Sequence, residues 1–369
     1  MPHDNFRILA INPGSTSTKI AVYVNEAPEF VNSIRHSDAE MEQFRGRPIL
    51  EQQEFRSARI EAALREAGQE MRHLDAVVGR GGLLPPLTSG TYVVNQEMLE
   101  ELRLARRGEH ASNLGAFLAW DVAQKAGIEP YVVDPVSVDE WPPIARLSGS
   151  ALLERQCLSH ALNSKAVAKR YARECGRPYE SLRLIVAHLG SGISVSAHER
   201  GLMVDVTNSR EEGAFSTERA GSVPAMQLVN LCFSGQYSQK QVEALLFRDG
   251  GLYSYLGTKD LQQVERRIAD GDSAAQTAFD AMIYQIAKEI GAMATVLHGH
   301  VDALLFTGGM AHSDNLVAKL ADSVSWIAPI TNYPGEDELQ ALAEGALRVL
   351  RRQEPSRTLA VVGRIPIEV

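Results

Sequence analysis

The feature that most restricts the fold is a device that occurs twice, about half a chain apart. It is an apolar strand, a tight polar turn with glycine, and a second strand that returns antiparallel. In the first copy, Phe6 to Ile11 is mostly apolar, the chain turns at Pro13-Gly14, and Lys19-Ile20-Ala21-Val22-Tyr23-Val24 returns. In the second, Leu184-Ile185-Val186-Ala187 leads into His188-Leu189-Gly190-Ser191-Gly192, and Ile193-Ser194-Val195-Ser196 returns. Glu199-Arg200-Gly201 then turns into a third strand, Leu202 to Val206. Short apolar runs bounded by turn residues read as strands. Each copy opens its own sheet, so the spacing predicts an internal duplication rather than a short-period repeat.

Length agrees with two sheets. At 369 residues the chain exceeds the roughly 250–300 at which one core divides. Phe279, Met282, Ile283, Ile286, Ala287, Ile290, Ala294 and Leu297 follow the rhythm of a long amphipathic helix. A buried strand, Val301 to Phe306, comes next, and Leu339, Leu342, Ala343, Ala346 and Leu350 mark a helix near the C-terminus. Mixed strand and helix order predicts α/β domains, with their boundary in the irregular stretch between Asp134 and Ser150. The tail holding Leu359-Ala360-Val361-Val362 reads as an added strand or a loose end.

Composition excludes several classes. A hydrophobic fraction of 44% and a charged fraction of 22% describe a folded, soluble protein. A net charge of −9 gives no field for nucleic acid or anionic membrane. Arg103, Arg106 and Arg107 stand among Glu100, Glu101 and Glu109 and read as a salt-bridged helix face. Cys157, Cys175 and Cys232 have neither zinc nor disulfide spacing and fit reduced thiols in the cytoplasm. No signal peptide or membrane span is expected.

Three turns carry possible phosphate chemistry. Asn12-Pro13-Gly14-Ser15-Thr16-Ser17-Thr18-Lys19 offers N–H and hydroxyl donors suited to phosphate oxygens. It is not a Walker loop, because a strand follows where a helix is required. A polar hairpin turn with a solvated lysine explains the same residues. His188 to Gly192 is a turn of the same kind, and turn chemistry alone accounts for it. Thr307-Gly308-Gly309-Met310-Ala311 leaves room for a flat adenosine moiety, or merely starts a helix capped by Ser313 or Asp314.

Together these turns resemble the phosphate and adenosine segments of the superfamily of actin, sugar kinases, heat-shock chaperone ATPases and acetate kinase. A closer likeness lies in INPGSTSTKI, GRGGLLPP with SGTY, HASNLGA, DPVSVDE, HALNSKA, AHLGSGISV, GGLYSYLGTKD, YQIAKEIGAMA, FTGGMA and EGALRVL. These strings, from residue 8 to about 350, resemble the butyrate kinases of the acetokinase family. The resemblance implies two actin-like (ribonuclease H-like) domains, each a mixed sheet flanked by helices, with an ATP cleft between them. Residues 1–150 plus about 336–369, the returning C-terminal helix, would form one domain and 151–335 the other. It also implies reversible phosphoryl transfer between ATP and a short-chain fatty acid, butyrate favoured, giving acyl phosphate and ADP. Acetate, propionate or branched acids, and a non-catalytic ATP-binding relative, stand as alternatives. A homo-oligomer is implied as well.

The same resemblance gives the residues roles. Arg219 would lie at the transferring phosphoryl and Arg80 would fork the carboxylate or phosphoryl. His160 would hydrogen-bond phosphoryl oxygens, with His188 a second contact to the ATP phosphates. Asn12, Gly14, Ser15, Ser17, Lys19, Gly190, Ser191, Gly192, Gly308 and Gly309 would hold the nucleotide. Asn12, Asp134 and Glu338 would organise Mg²⁺ largely through water, with Glu336 and Asp337 as rivals for the place of Glu338. Bland readings accompany them: a surface salt bridge for Arg219, a cap for His160, and a turn aspartate for Asp134. Only the glycines flanking Arg80 argue against packing there. Two departures stand out. Butyrate kinases have glycine where Ser191 stands, and their G-x-G-P-F-S-P-x-R is here Glu211 to Arg219, which predicts a less rigid, more acidic loop.

Overall fold

In the computed structural model, which describes residues 5–359, the first strand is Arg7–Pro13 (β1), and six of its seven residues are buried. Such a continuous apolar run suits a strand covered on both faces. β1 pairs antiparallel with β2 (Ser17–Val24), which pairs antiparallel with β3 (Ala27–Arg35). On its other side β1 pairs in parallel with β4 (Ala76–Arg80). β5 (Thr91–Val93) and β6 (Glu129–Val133) extend the sheet to the order Arg357–Thr358, β5, β6, β4, β1, β2, β3. The short strand Arg357–Thr358 pairs in parallel with β5, and Ala360–Val362 of the expected tail strand lie outside the described residues.

The second sheet repeats the plan. β7 (Arg183–Leu189), β8 (Ile193–Glu199) and β9 (Leu202–Val206) form the antiparallel trio, with the turn at Arg200-Gly201 taking positive φ at both residues. β10 (Ala303–Gly308) and β11 (Ile330–Pro334) add in parallel, giving the order β11, β10, β7, β8, β9. Both sheets thus run from an antiparallel trio into two parallel strands, the internal duplication expected from the two turns, and in the first sheet β5 then pairs antiparallel with β6.

The chain divides into two compact units, one up to Asp139 and again from Asp337, the other Glu140–Glu336. In the first, Leu9, Ile11, Ile20, Val22 and Val77 meet Ile60, Leu64, Leu114 and Leu118 in one core. Gly79 and Gly115 let the helix Asn113–Ala126 touch β4: a Cβ at Gly79 would sit 2.0 Å from the Gly115 oxygen. In the second, the long helix Ser273–Val296 lays Phe279, Met282, Ile283, Ile286 and Ile290 on the sheet. No helix of the described residues is long and apolar enough to cross a membrane.

Within the second unit the helix Ala161–Glu174 is fastened by a buried polar group of unusual density. The Lys165 ammonium, wholly buried, pairs with Glu140 and donates to the Gly201 carbonyl at 3.0 Å. Beside it His198 is fully buried, with Tyr179 Oη 2.6 Å from its Nδ1 and Ser196 Oγ 2.8 Å from its Nε2. Burial, with the Lys165 charge, holds His198 well below its ordinary pKa of 6.5, so it is neutral in the fold. Only the unfolded chain takes up that proton below pH 6.5. Stability therefore falls as pH drops through this window, by up to about 1.4 kcal/mol per pH unit for one histidine. His198→Gln, which binds no proton, is expected to melt with a shallower dependence between pH 6.5 and 5. Parallel slopes in calorimetry would refute the assignment.

Candidate active site

The first turn is built from beneath. Arg56 comes from the helix Gln53–Glu66 and is fully buried. Its Nη1 donates to the carbonyls of Gly14 (2.8 Å) and Ser17 (3.1 Å) and to Thr18 Oγ1 (3.0 Å). Its Nη2 donates to the Ser15 carbonyl at 3.1 Å, and the Thr16 carbonyl accepts from the His36 N–H at 2.9 Å. In a trans peptide the carbonyl of one residue and the N–H of the next point opposite ways. Drawing these carbonyls to one side turns the N–H groups of residues 15, 16 and 17 to the other, the arrangement an anion site needs. Burial lowers the Arg56 pKa to about 10, still well above neutrality. Lys19 follows on β2 with an exposed side chain.

A second cluster of the same unit joins three predicted residues. Asn12 ends β1 next to the turn and donates its amide to Glu338. Arg80, at the end of β4, reaches both Glu338 oxygens, Nη2 to Oε1 at 3.0 Å and Nη1 to Oε2 at 3.1 Å. Glu338 opens the helix Glu338–Leu350 and is 7% exposed, which singles it out from its acidic neighbours. The glycines beside Arg80 prove to be packing residues. Gly79 meets Gly115, and a Cβ at Gly81 would lie 2.4 Å from Pro135 Cβ. They therefore carry no information about a ligand, contrary to the expectation from sequence. Asp134 is buried at the end of β6 with φ +38°, and its Oδ1 accepts from Ser89 Oγ and the Gly90 N–H, both at 2.7 Å. That is a turn-organising geometry in a backbone region non-glycine residues seldom occupy.

For a magnesium ion the first unit offers hard oxygens, the Asn12 amide oxygen and the Glu338 carboxylate. No group of three or more His, Cys, Asp or Glu that could hold a metal occurs among the described residues. Mg²⁺ is usually held by one or two protein oxygens, with waters and substrate phosphates completing its shell. Here both Glu338 oxygens already accept from Arg80, so the ion would share that carboxylate with the guanidinium.

The second turn, in the other unit, gathers the remaining candidates. His188 ends β7, almost fully buried, and stacks flat on His160 with ring centres 3.7 Å apart and planes 9° from parallel. His160 sits just before the helix Ala161–Glu174, its Nδ1 2.9 Å from Ser194 Oγ. The buried Asn163, three residues on, places Oδ1 2.8 Å from His188 Nδ1. Both imidazoles are thus fixed at Nδ1 by neutral groups, which leaves ring orientation set by the fold. Glu336 lies 3.1 Å from His188 Nε2. Sequence reasoning missed Asn163, although His160 and Asn163 stand at i and i+3, the spacing of one helix face.

Arg219 is brought onto this turn. Its Nη1 donates to the Ser209 carbonyl at 2.9 Å, and a Cβ at Gly192 would lie 2.6 Å from that same nitrogen. Ser216 Oγ donates to the Ser191 carbonyl and accepts from the Arg219 N–H at 3.1 Å. Burial lowers the Arg219 pKa below the ordinary arginine value, so its charge is poorly solvated. Ser191 does not take positive φ, so serine fits there without strain. The loop is also held from outside its departures from the family pattern: Glu212, next to the Glu211 that replaces glycine, is forked by Arg155. At the third turn Gly308 takes φ +92° against the Leu189 backbone, Gly309 borders open space, and Ser313 caps the helix Asp314–Val324.

Three comparisons with known proteins agree. The sequence pattern of the acetokinase family matches residues 150–326. Butyrate kinase 2 of Clostridium acetobutylicum is 49% identical over 353 residues, spanning 95% of this chain and 99% of that protein. Among solved structures, the acetate kinase of Porphyromonas gingivalis superposes with a TM-score of 0.75 at 18% identity, over 92% of this chain and 99% of its own. A propionate kinase from Francisella tularensis gives 0.73 at 17%, over 92% and 98%. At such identities the likeness concerns the fold, two mixed sheets flanked by helices.

The contact between Arg219 and Gly192 can be tested alone. Gly192→Ala pushes aside only the far end of the flexible Arg219 side chain, so it is expected to lower stability by no more than about 1 kcal/mol. A larger fall in the thermal midpoint would show that the guanidinium cannot move from its place.

Proposed function

The chain belongs to the acetokinase family, and from that premise we propose that it is a butyrate-type kinase. The reaction class is phosphoryl transfer between ATP and a short-chain carboxylate. Butyrate as the preferred acid follows the full-length similarity to a butyrate kinase.

The residue-level reading is carried by one observation, the Arg219 guanidinium laid against Gly192 of a phosphate-type turn. A carboxylate is already anionic, so no base is required. One acid oxygen attacks the γ-phosphorus in line, the bond to the β-γ bridging oxygen breaks, and ADP leaves with that electron pair. The needs are positioning and charge neutralisation. Arg219 supplies a positive charge that burial leaves poorly screened. His160, oriented by Ser194, donates to the phosphoryl oxygens, and His188 backs it from a ring held by Asn163. The first turn, with Lys19, receives phosphate, and Gly309 leaves space for the adenosine moiety. Arg80 already forks a carboxylate, that of Glu338, and this is the geometry a substrate acid would use. Asn12 and Glu338, with Asp134 in support, would hold Mg²⁺, which when bound neutralises phosphate oxygens.

An acyl-hydroxamate assay with ATP, Mg²⁺ and a panel of C2–C6 straight and branched acids tests the reading. The expected product is strongest with butyrate and falls on either side, since one methylene changes selectivity by about 1–3 kcal/mol. No product with any acid, beside measurable ATP binding, would falsify the enzyme reading. Acetate or propionate preference would move the protein elsewhere in its class.

Its free cysteines fit a reducing cytoplasm. A homo-oligomer also follows from this reading: Met226, Val229 and Phe233 leave the helix Ala225–Cys232 and its end apolar and exposed. Light scattering is expected to give a multiple of 40.4 kDa, and a monomer at micromolar concentration would remove the oligomer.

A further inference from the structure

Arg155 lies on the segment that leads into His160, and the mechanism above does not use it. Its Nε and Nη2 donate to the two oxygens of Glu212, each at 2.9 Å. Nη2 also reaches Asp205 Oδ1 at 3.1 Å and the Val206 carbonyl at 3.3 Å. Its guanidinium carbon stands 4.4 Å from the centre of the Trp141 ring, and Nη1 donates to the Ala145 carbonyl at 2.7 Å. One side chain therefore grips both ends of the turn 206–212. In the middle of that turn, the Ser209 carbonyl accepts from Arg219 Nη1 at 2.9 Å and Ser209 Oγ lies 3.3 Å from the same nitrogen. Glu212 also accepts from the Asn208 N–H at 3.3 Å, next to Ser209.

We propose that Arg155 is a positioning residue for the reaction: through Glu212 and the turn 206–212 it holds Ser209 as the seat of the Arg219 guanidinium. The inference rests on the role given to Arg219 above. Arginine is suited to the task because a planar fork fixes both distance and direction, and lysine cannot reproduce it. Arg219 carries its charge on a flexible chain, and the Ser209 carbonyl and hydroxyl are the hydrogen-bond partners of its guanidinium. Displacing a reacting or stabilising group by about 1 Å can cost on the order of a hundredfold in rate. Arg155 also precedes His160 by five residues in the chain. It therefore ties the approach to that histidine to the seat of Arg219.

The test is a cycle in kcat and KM. Arg155→Lys and Glu212→Gln are each expected to lower kcat about tenfold or more while KM for ATP stays within about twofold, the pattern of an interaction made in the transition state. In an Arg219→Ala background the same changes should add less than about twofold, because residues acting as a unit are not additive. Losses that multiply in the double variants, or that fall equally on KM, would overturn the proposal and leave Arg155 a general structural residue. Wild-type kcat in Arg219→Ala alone would overturn the role of Arg219 itself, a separate result. If Arg155→Lys fails to fold, Glu212→Gln, which keeps shape and loses only charge, carries the same comparison; its thermal midpoint is recorded alongside.

Discussion

A turn that presents N–H groups to an anion must dispose of its carbonyls. Peptide geometry allows no other outcome, because each exposed N–H is coupled to an oxygen facing the opposite way. An unpaired buried carbonyl costs roughly the worth of a hydrogen bond. In the first unit Arg56 meets the need with donors to Gly14, Ser15 and Ser17, assisted by the His36 N–H at Thr16. In the second, the Ser216 hydroxyl takes the Ser191 carbonyl. The solutions differ in kind. A buried guanidinium serves several oxygens and stiffens the whole turn, whereas a hydroxyl serves one and couples it to the Arg219 loop through the Arg219 N–H. The duplicated topology has therefore been fitted with unlike supports.

That difference explains what could be read from sequence. Both strand-turn-strand devices, the long helix and the C-terminal helix were legible, because apolar periodicity and turn residues are local signals. Clustering of Arg80 with Glu338 was not, since the two are 258 positions apart and meet only through sheet order. Arg56 gave no signal at all: it stands in an ordinary polar helix, and its burial depends on how that helix crosses β2. The glycines around Arg80 misled for a related reason. Glycine marks close approach without saying of what, and here the approaching groups are the Gly115 backbone and Pro135. Asn163, by contrast, was within reach from His160, had the helix start been used to ask which residues stand beside it.

The basic residues differ in what they are paired with. Arg80 is satisfied by Glu338, His188 lies against Glu336, and Arg219 rests on a neutral carbonyl. The first two are contacts of a basic side chain with a carboxylate, and a substrate carboxylate or phosphate offers the same kind of acceptor. Arg219 is different, because a backbone carbonyl cannot neutralise it. On the role proposed for Arg219, a phosphoryl group gaining charge would find there a cation whose hydrogen bonds go to the neutral Ser209, with Glu218 as an opposing charge. This is the quality expected of a group whose interaction strengthens as the reaction proceeds rather than on binding.

The loop carrying Arg219 looked weakened, with Glu211, Ala214 and Thr217 in place of a glycine and two prolines. Magnitudes reverse that impression. A proline compatible with its site contributes about 0.4–1 kcal/mol, and chiefly by restricting the unfolded chain. A hydrogen bond to a charged group contributes about 1.5–3 kcal/mol, and Glu212 receives two from Arg155. Screening lowers this figure, since the two side chains keep 22% and 27% of their exposure. Even so, the fork acts on the folded loop directly, where proline acts mostly on the alternative to it. The loop is held through Glu212, the acidic residue beside the one that replaces its glycine.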